Sequence, residues 1–203
     1  TTGLSPERDC IIEIGALNVK DGKVCDRFSQ FINPHMELSP FVKELTGITQ
    51  EQVDSAPDLF PVIEAFLDFS KDQVLIGHNL RFDYRFVKAA AAKYGLPFER
   101  QGLDTLKIAR VIHKDMPSRK LEMLCEHYGI VNDRAHRAYH DALATAKLYQ
   151  CMAHYHEAEN PALFVPESLD RRRKNPRPAT KKQKEYLAAL YQYHGRKNPP
   201  DPD

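Results

Sequence analysis

The sequence predicts an α/β fold, a mixed sheet flanked by helices, and three observations carry that prediction. An apolar run over 10–19 and an alternating run over 24–32 flank Lys20-Asp21-Gly22-Lys23, the signature of a tight hairpin. After it, short apolar runs alternate with helical periodicities, an order that produces a mixed sheet covered by helices. Hydrophobic residues make up 42% of the 203 residues and aromatics 9%, enough for one full domain with a small appendage.

Along the chain, CIIEIGALNV (10–19) and VCDRFSQFI (24–32) are the two hairpin strands. Ser39-Pro40 opens a short helix in cap-then-proline order, and Gly47 closes it. Thr49 and Gln52 have capping-box spacing for the next turn. Phe60, Ile63 and Leu67 mark a helix over 57–69. QVLIG (73–77) is a short strand running straight into His78-Asn79, from which a long helix extends to Tyr94 and stops at Gly95. Gly102–Thr105 reads as a brief strand before a helix with Leu106 and Ala109. Leu121, Leu124 and Tyr128 define another helix, ended by Gly129, and the last large helix spans 138–156. The alanines at 138, 142, 144 and 146 let that helix approach a sheet closely.

Four domain segments follow: a folded body over 1–158, a Pro/Arg-rich connector over 159–179, a short amphipathic helix over 180–196 and a disordered tail over 197–203. The helix begins with a second capping box, Thr180 and Gln183, and carries Leu187, Leu190 and Tyr191 on one face. Net charge is +1, but residues 171–203 carry +7 against −6 in the body. An acidic body with a basic extension suits a metal-binding domain whose tail attracts phosphate, and equally suits a solvated tail. No apolar run reaches the length of a membrane span. Cys10, Cys25, Cys125 and Cys151 show no CxxC spacing, so they read as reduced packing residues of a cytoplasmic protein. The chain begins at Thr1, not methionine, and is read as a piece whose true start lies upstream.

The richest stretch chemically is His136-Arg137-Ala138-Tyr139-His140-Asp141. Five helical residues turn a side chain by about 140°. An imidazole at 136 and a carboxylate at 141 therefore converge only if His136 lies on the incoming loop and Asp141 in the first helical turn. A histidine base beside a metal-holding carboxylate suits hydrolysis by activated water. His140 is a rival base, but as a helical neighbour of Asp141 it points elsewhere. Gly77-His78-Asn79-Leu80-Arg81-Phe82-Asp83 lies at the carboxyl end of a strand, where ligands gather in α/β sheets. There Asp83 is either a metal ligand or an acid favoured by the helix dipole. Phe82 is a core residue or a stacking ring, and His78 a bonded loop residue or a substrate contact. Asp104 reads as a helix cap, and Arg119 and Lys120 as solvated charges or phosphate contacts.

Taken in order, Thr1-Thr2-Gly3-Leu4, Gly77-His78-Asn79…Asp83 and His136-Arg137-Ala138…Asp141 resemble the three motifs of the DnaQ-like (DEDDh) 3′→5′ exonucleases. That family includes the exonuclease domains and epsilon subunit of bacterial DNA polymerase III. Leu45-Thr46-Gly47-Ile48-Thr49 and Leu103-Asp104-Thr105-Leu106 resemble further family segments, and the likeness covers about residues 1–155. It implies a ribonuclease H-like fold with a five-stranded mixed sheet, and two Mg²⁺ or Mn²⁺ ions held by four carboxylates. Asp83 and Asp141 match two of those carboxylates, and His136 matches the general base. Thr1, Thr2, Leu4, His78, Asn79 and Phe82 match substrate contacts.

The family's first motif carries Asp-x-Glu immediately before Thr-Thr-Gly-Leu, and this chain starts at the first threonine. The resemblance therefore implies that the first, central strand is missing and that this polypeptide has little or no nuclease activity. The implied partner is the 3′ end of single-stranded DNA, with a polymerase subunit docking on the C-terminal helix and no membrane. RNA trimming by the same fold, or a non-catalytic nucleic-acid or polymerase-binding module, are the alternatives.

Overall fold

A computed structural model describes residues 1–132, 135–170 and 185–186. The chain forms two compact units, Thr1–Asp170 and Arg171–Asp203. In the second, only Glu185 and Tyr186 are described, both helical. The rest of the helix read over 180–196, and the tail over 197–203, lie outside the described residues.

In the first unit β1 (Glu13–Lys20) and β2 (Lys23–Phe31) pair antiparallel. Asp21 (φ 51°) and Gly22 (φ 74°) make the turn between them, two positive φ values that match the twist of the strands. Ser39 caps α1 (Pro40–Thr46) by accepting the Val42 N–H, and Gly47 ends it at φ 67°. Thr49 and Gln52 form a complete capping box for α2 (Gln50–Asp54). Around these helices Ile12, Leu38, Val42, Ile48 and Val53 make a small satellite core.

The main core lies between the hairpin, α3 (Leu59–Phe69) and α4 (Leu80–Lys93), with Ile14, Ile32, Ile63, Phe66, Tyr84, Val87 and Phe98 buried together. β3 (Leu75–Gly77) runs parallel to β4 (Gln101–Asp104), and β4 pairs antiparallel with β5 (Glu167–Ser168). Helices α5 (Thr105–Ile112), α6 (Leu121–His127) and α7 (Ala138–His156) bury a third cluster of Ile108, Leu124, Leu148, Met152 and Phe164.

Two sequence expectations change. The five described strands fall into two sheets, β1-β2 and β3-β4-β5, rather than one. β1 and β3 each pair along one edge only, and both border a cleft of about 430 Å³ flanked by α4 and α7. The folded body also runs to Asp170, not 158. Phe164 and Leu169 are each only 6% exposed, Leu169 N–H donates to the Arg100 carbonyl at 3.0 Å, and the Asp170 carboxylate accepts from Tyr84 Oη at 2.7 Å and from Lys88. Apolar burial and a bonded carboxylate thus draw part of the connector into the domain.

Candidate active site

The cleft is built from the carboxyl end of β3 and the first turns of two helices. Asn79 adopts the left-handed region (φ 63°) and turns the chain from β3 into α4. Its N–H donates to Asp104 Oδ1 at 2.9 Å, and the same oxygen caps α5 at the Leu106 N–H, 3.0 Å away. Asp104 is thus a cap that also ties the ends of β3 and β4 together.

Asp83, in the first turn of α4, and Asp141, in the first turn of α7, both line the cleft, together with Thr1, His78, Asn79 and Phe82. Asp83 opens to the cleft's solvent but is crowded by protein. That desolvation, reinforced by Asp104 and Asp141, pushes its carboxyl up to about 6 against the opposing pull of its own backbone N–H and the Thr1 amine. Burial also raises Asp141, opposed by its bond from Asn132 and by His136. Two acids raised by burial and by their like-charged neighbours form a site that a cation relieves.

His136 lies just before α7 with φ 66°. Its backbone N–H faces the Asp141 carboxylate, whereas its ring Nε2 sits 3.2 Å from Glu122 Oε1, at the start of α6, and the ring does not line the cleft. The loop-plus-first-turn placement inferred from spacing is present, but the backbone rather than the imidazole makes the contact. Asn132 Nδ2 donates to Asp141 Oδ1 at 3.0 Å and steadies the same carboxylate.

His78 has both ring nitrogens engaged, Nδ1 with Thr105 Oγ1 and Nε2 with the Arg119 carbonyl, each at 2.9 Å. A carbonyl only accepts, so Nε2 carries a proton, and burial lowers the ring's pKa. Thr2 brackets Cys10, its Oγ1 accepting the Cys10 N–H and its own N–H donating to the Cys10 carbonyl, both at 2.8 Å. Leu4 is 82% exposed, and neither it nor Thr2 lines the cleft. Phe82 does line it while its ring packs on Phe86, 5.0 Å between centroids. Arg119 turns its guanidinium onto the carbonyls of His113 and Lys114, and Lys120 is the N-cap residue of α6.

Sequence reasoning missed Glu13. Its side chain is only 6% exposed. It borders the cleft, receives the Arg137 guanidinium at 3.1–3.4 Å and caps α7 by accepting the Ala138 N–H at 3.1 Å. The signal was a lone acid inside the apolar run CIIEIGAL.

A mixed α/β fold with acids gathered in a cleft at a strand's carboxyl end has its ligand site where α/β proteins commonly place one. The chain belongs to the exonuclease family, whose model matches residues 1–149. It is similar to the DNA polymerase III PolC-type of Caldanaerobacter subterraneus subsp. tengcongensis, with 43% identity over 149 residues. That match takes in 73% of this chain and 11% of the polymerase, so the chain spans about a tenth of its relative's length. In structure it resembles Exonuclease X in complex with 5′ overhanging duplex DNA (TM-score 0.62, 24% identity, 76% of this chain and 87% of that one). It also resembles S. pombe Pop2p in its Mg²⁺- and Mn²⁺-bound form (TM-score 0.59, 17% identity, 71% and 68%). These two likenesses are of fold.

Exonucleases of this family use divalent metals. Two carboxylates fit one Mg²⁺, an ion that keeps several waters and takes substrate phosphate oxygens as ligands. Among the described residues no group of three or more His, Cys, Asp or Glu side chains is arranged to hold a metal, so these residues do not by themselves complete a two-ion site. Among the described residues, too, no helix is long and apolar enough to cross a membrane.

Proposed function

We propose that this domain is a metal-dependent 3′→5′ exonuclease that hydrolyses the terminal phosphodiester of DNA and releases nucleoside monophosphates. The observation that carries the reading is the convergence of Asp83 and Asp141, from two different helix starts, on one cleft at the carboxyl end of β3. When bound, Mg²⁺ or Mn²⁺ supplies charge stabilisation and a more acidic water. Asp83 and Asp141 are the residues that hold it, and their raised pKa values make them better able to accept a cation than to remain as bare charges. His136, anchored beside Asp141, takes the proton from the attacking water. Asn79 shapes the turn at the cleft floor, Phe82 offers a ring at its wall, and Thr1 lines it beside them.

The PolC-type relatives support work alongside a DNA polymerase, with the C-terminal segment 180–196 as the docking element in this reading, and the reduced state of four unpaired cysteines supports a cytoplasmic setting. The test compares this chain with a form extended by an Asp-x-Glu strand, on 5′-labelled single-stranded DNA and RNA with and without Mg²⁺. Mg²⁺-dependent shortening of DNA by the extended form, abolished by Asp83→Asn, is the expected result. No trimming of either substrate refutes the reading, and trimming of RNA alone reassigns the substrate.

A further inference from the structure

The reaction leaves Glu122 without a role, yet this residue holds the proposed base. It lies in the first turn of α6, whose preceding residue Leu121 lines the cleft, and its Oε1 is 3.2 Å from His136 Nε2. His136 is fixed at its other end as well: a left-handed backbone, φ 66°, presents its N–H to the Asp141 carboxylate. The imidazole is therefore strung between two acids, one reached by the backbone and one by the ring.

We propose that Glu122 is a positioning residue that selects the tautomer and direction of the His136 ring. This rests on the exonuclease reading for its consequence, though not for its geometry. An ionised carboxylate can only accept, so a neutral His136 facing it carries its proton on Nε2. Nδ1 is then the ring's free lone pair and the atom that receives the proton of the attacking water. Without Glu122 the ring on this exposed loop divides its time among rotamers and between both tautomers, and only a fraction of molecules present Nδ1. Both side chains are about half exposed, so the bond biases the ring rather than locking it. The effect on turnover is correspondingly a few-fold, well short of the loss on removing the base itself.

The decisive pair of variants is Glu122→Ala and Glu122→Gln, the second keeping a carbonyl oxygen that still accepts from Nε2. In the metal-free chain, nitrogen chemical shifts of the His136 ring report a dominant Nε2–H tautomer. Glu122→Ala moves the shifts toward a mixture, and Glu122→Gln restores them. In the Asp-x-Glu-extended form, Glu122→Ala lowers kcat about three- to tenfold with KM unchanged, Glu122→Gln recovers most of it, and in a His136→Ala background Glu122→Ala has no further effect. Ring shifts unaltered by Glu122→Ala, or an equal loss for Ala and Gln, overturn the proposal. Absence of trimming by the extended parent defeats the exonuclease reading alone, because the ring shifts still decide what Glu122 does.

Discussion

Arg137→Met tests the contact on which the entry to α7 depends. The side chain of Glu13 is 6% exposed, and that of Arg137 27%. Removing the arginine leaves a buried carboxylate with only the Ala138 N–H for a partner. Breaking a fully buried pair from one side costs about 3–5 kcal/mol. Because one partner here is partly wet and the cap survives, about 2–3 kcal/mol is expected, to which the loss of Arg137 stacking over Phe31 contributes (5.2 Å to the ring centre). With a urea slope of roughly 2 kcal/mol/M for a domain of this size, the midpoint falls by about 1–1.5 M.

The reverse truncation, Glu13→Gln, leaves an arginine that can turn to solvent, and it costs about half as much. The double variant is less destabilised than the two single losses added together. Urea denaturation followed by far-UV circular dichroism measures all three. A midpoint for Arg137→Met within 0.3 M of wild type, or a larger loss from Glu13→Gln than from Arg137→Met, refutes the assignment of Glu13 as a buried, arginine-dependent cap.

Three further outcomes follow from the same structure. Asp83, raised to about 6, binds its proton more tightly folded than unfolded, so metal-free stability falls as pH climbs from about 4 through 6. Asp83→Asn flattens that slope in thermal melts with a chelator present, and unchanged slopes count against it. His113 behaves in the opposite sense. Burial, then the neighbouring His127, His156 and Arg119, lower its pKa, so stability drops as pH falls below about 6.5, and His113→Gln lessens that drop in urea midpoints at pH 7.5 and 5.5. Gly15→Ala puts a methyl carbon 2.1 Å from the Tyr139 nitrogen, forces the α7 entry off β1, and lowers the melting midpoint by about 5–10 °C; a midpoint within 2 °C of wild type means the two elements can part without cost.

What could be read from the sequence was local. Asp21-Gly22 specified its hairpin, Ser39 and Thr49 their helix starts, and Gly47, Gly95 and Gly129 their stops, all three at positive φ. Each of these signals is complete within four or five residues, so no tertiary knowledge is needed. The helix-start placement of Asp83 and Asp141 was legible for the same reason, since each sits in the first turn after a recognisable loop. The unread features all join distant parts of the chain. Glu13 meets Arg137 across 124 residues, and Asp170 meets Tyr84 across 86. His136 finds Glu122 through a loop whose course no periodicity describes. The split into two sheets was likewise hidden, because strand pairing depends on what fills the space between edges.

The length of α7 has a mechanical consequence. Asp141 and His156 are fifteen residues apart on one helix, about 22 Å along its axis. The far end is gripped where His156 packs edge-on against His113, 5.6 Å between ring centres. Over that span a tilt of only 3° swings the Asp141 end through about 1 Å, a displacement of the size that costs a well-aligned reaction a hundredfold. The helix is thus a beam held at both ends: the Glu13 cap at Ala138 and the packing at His156 together keep the carboxylate between them from that excursion.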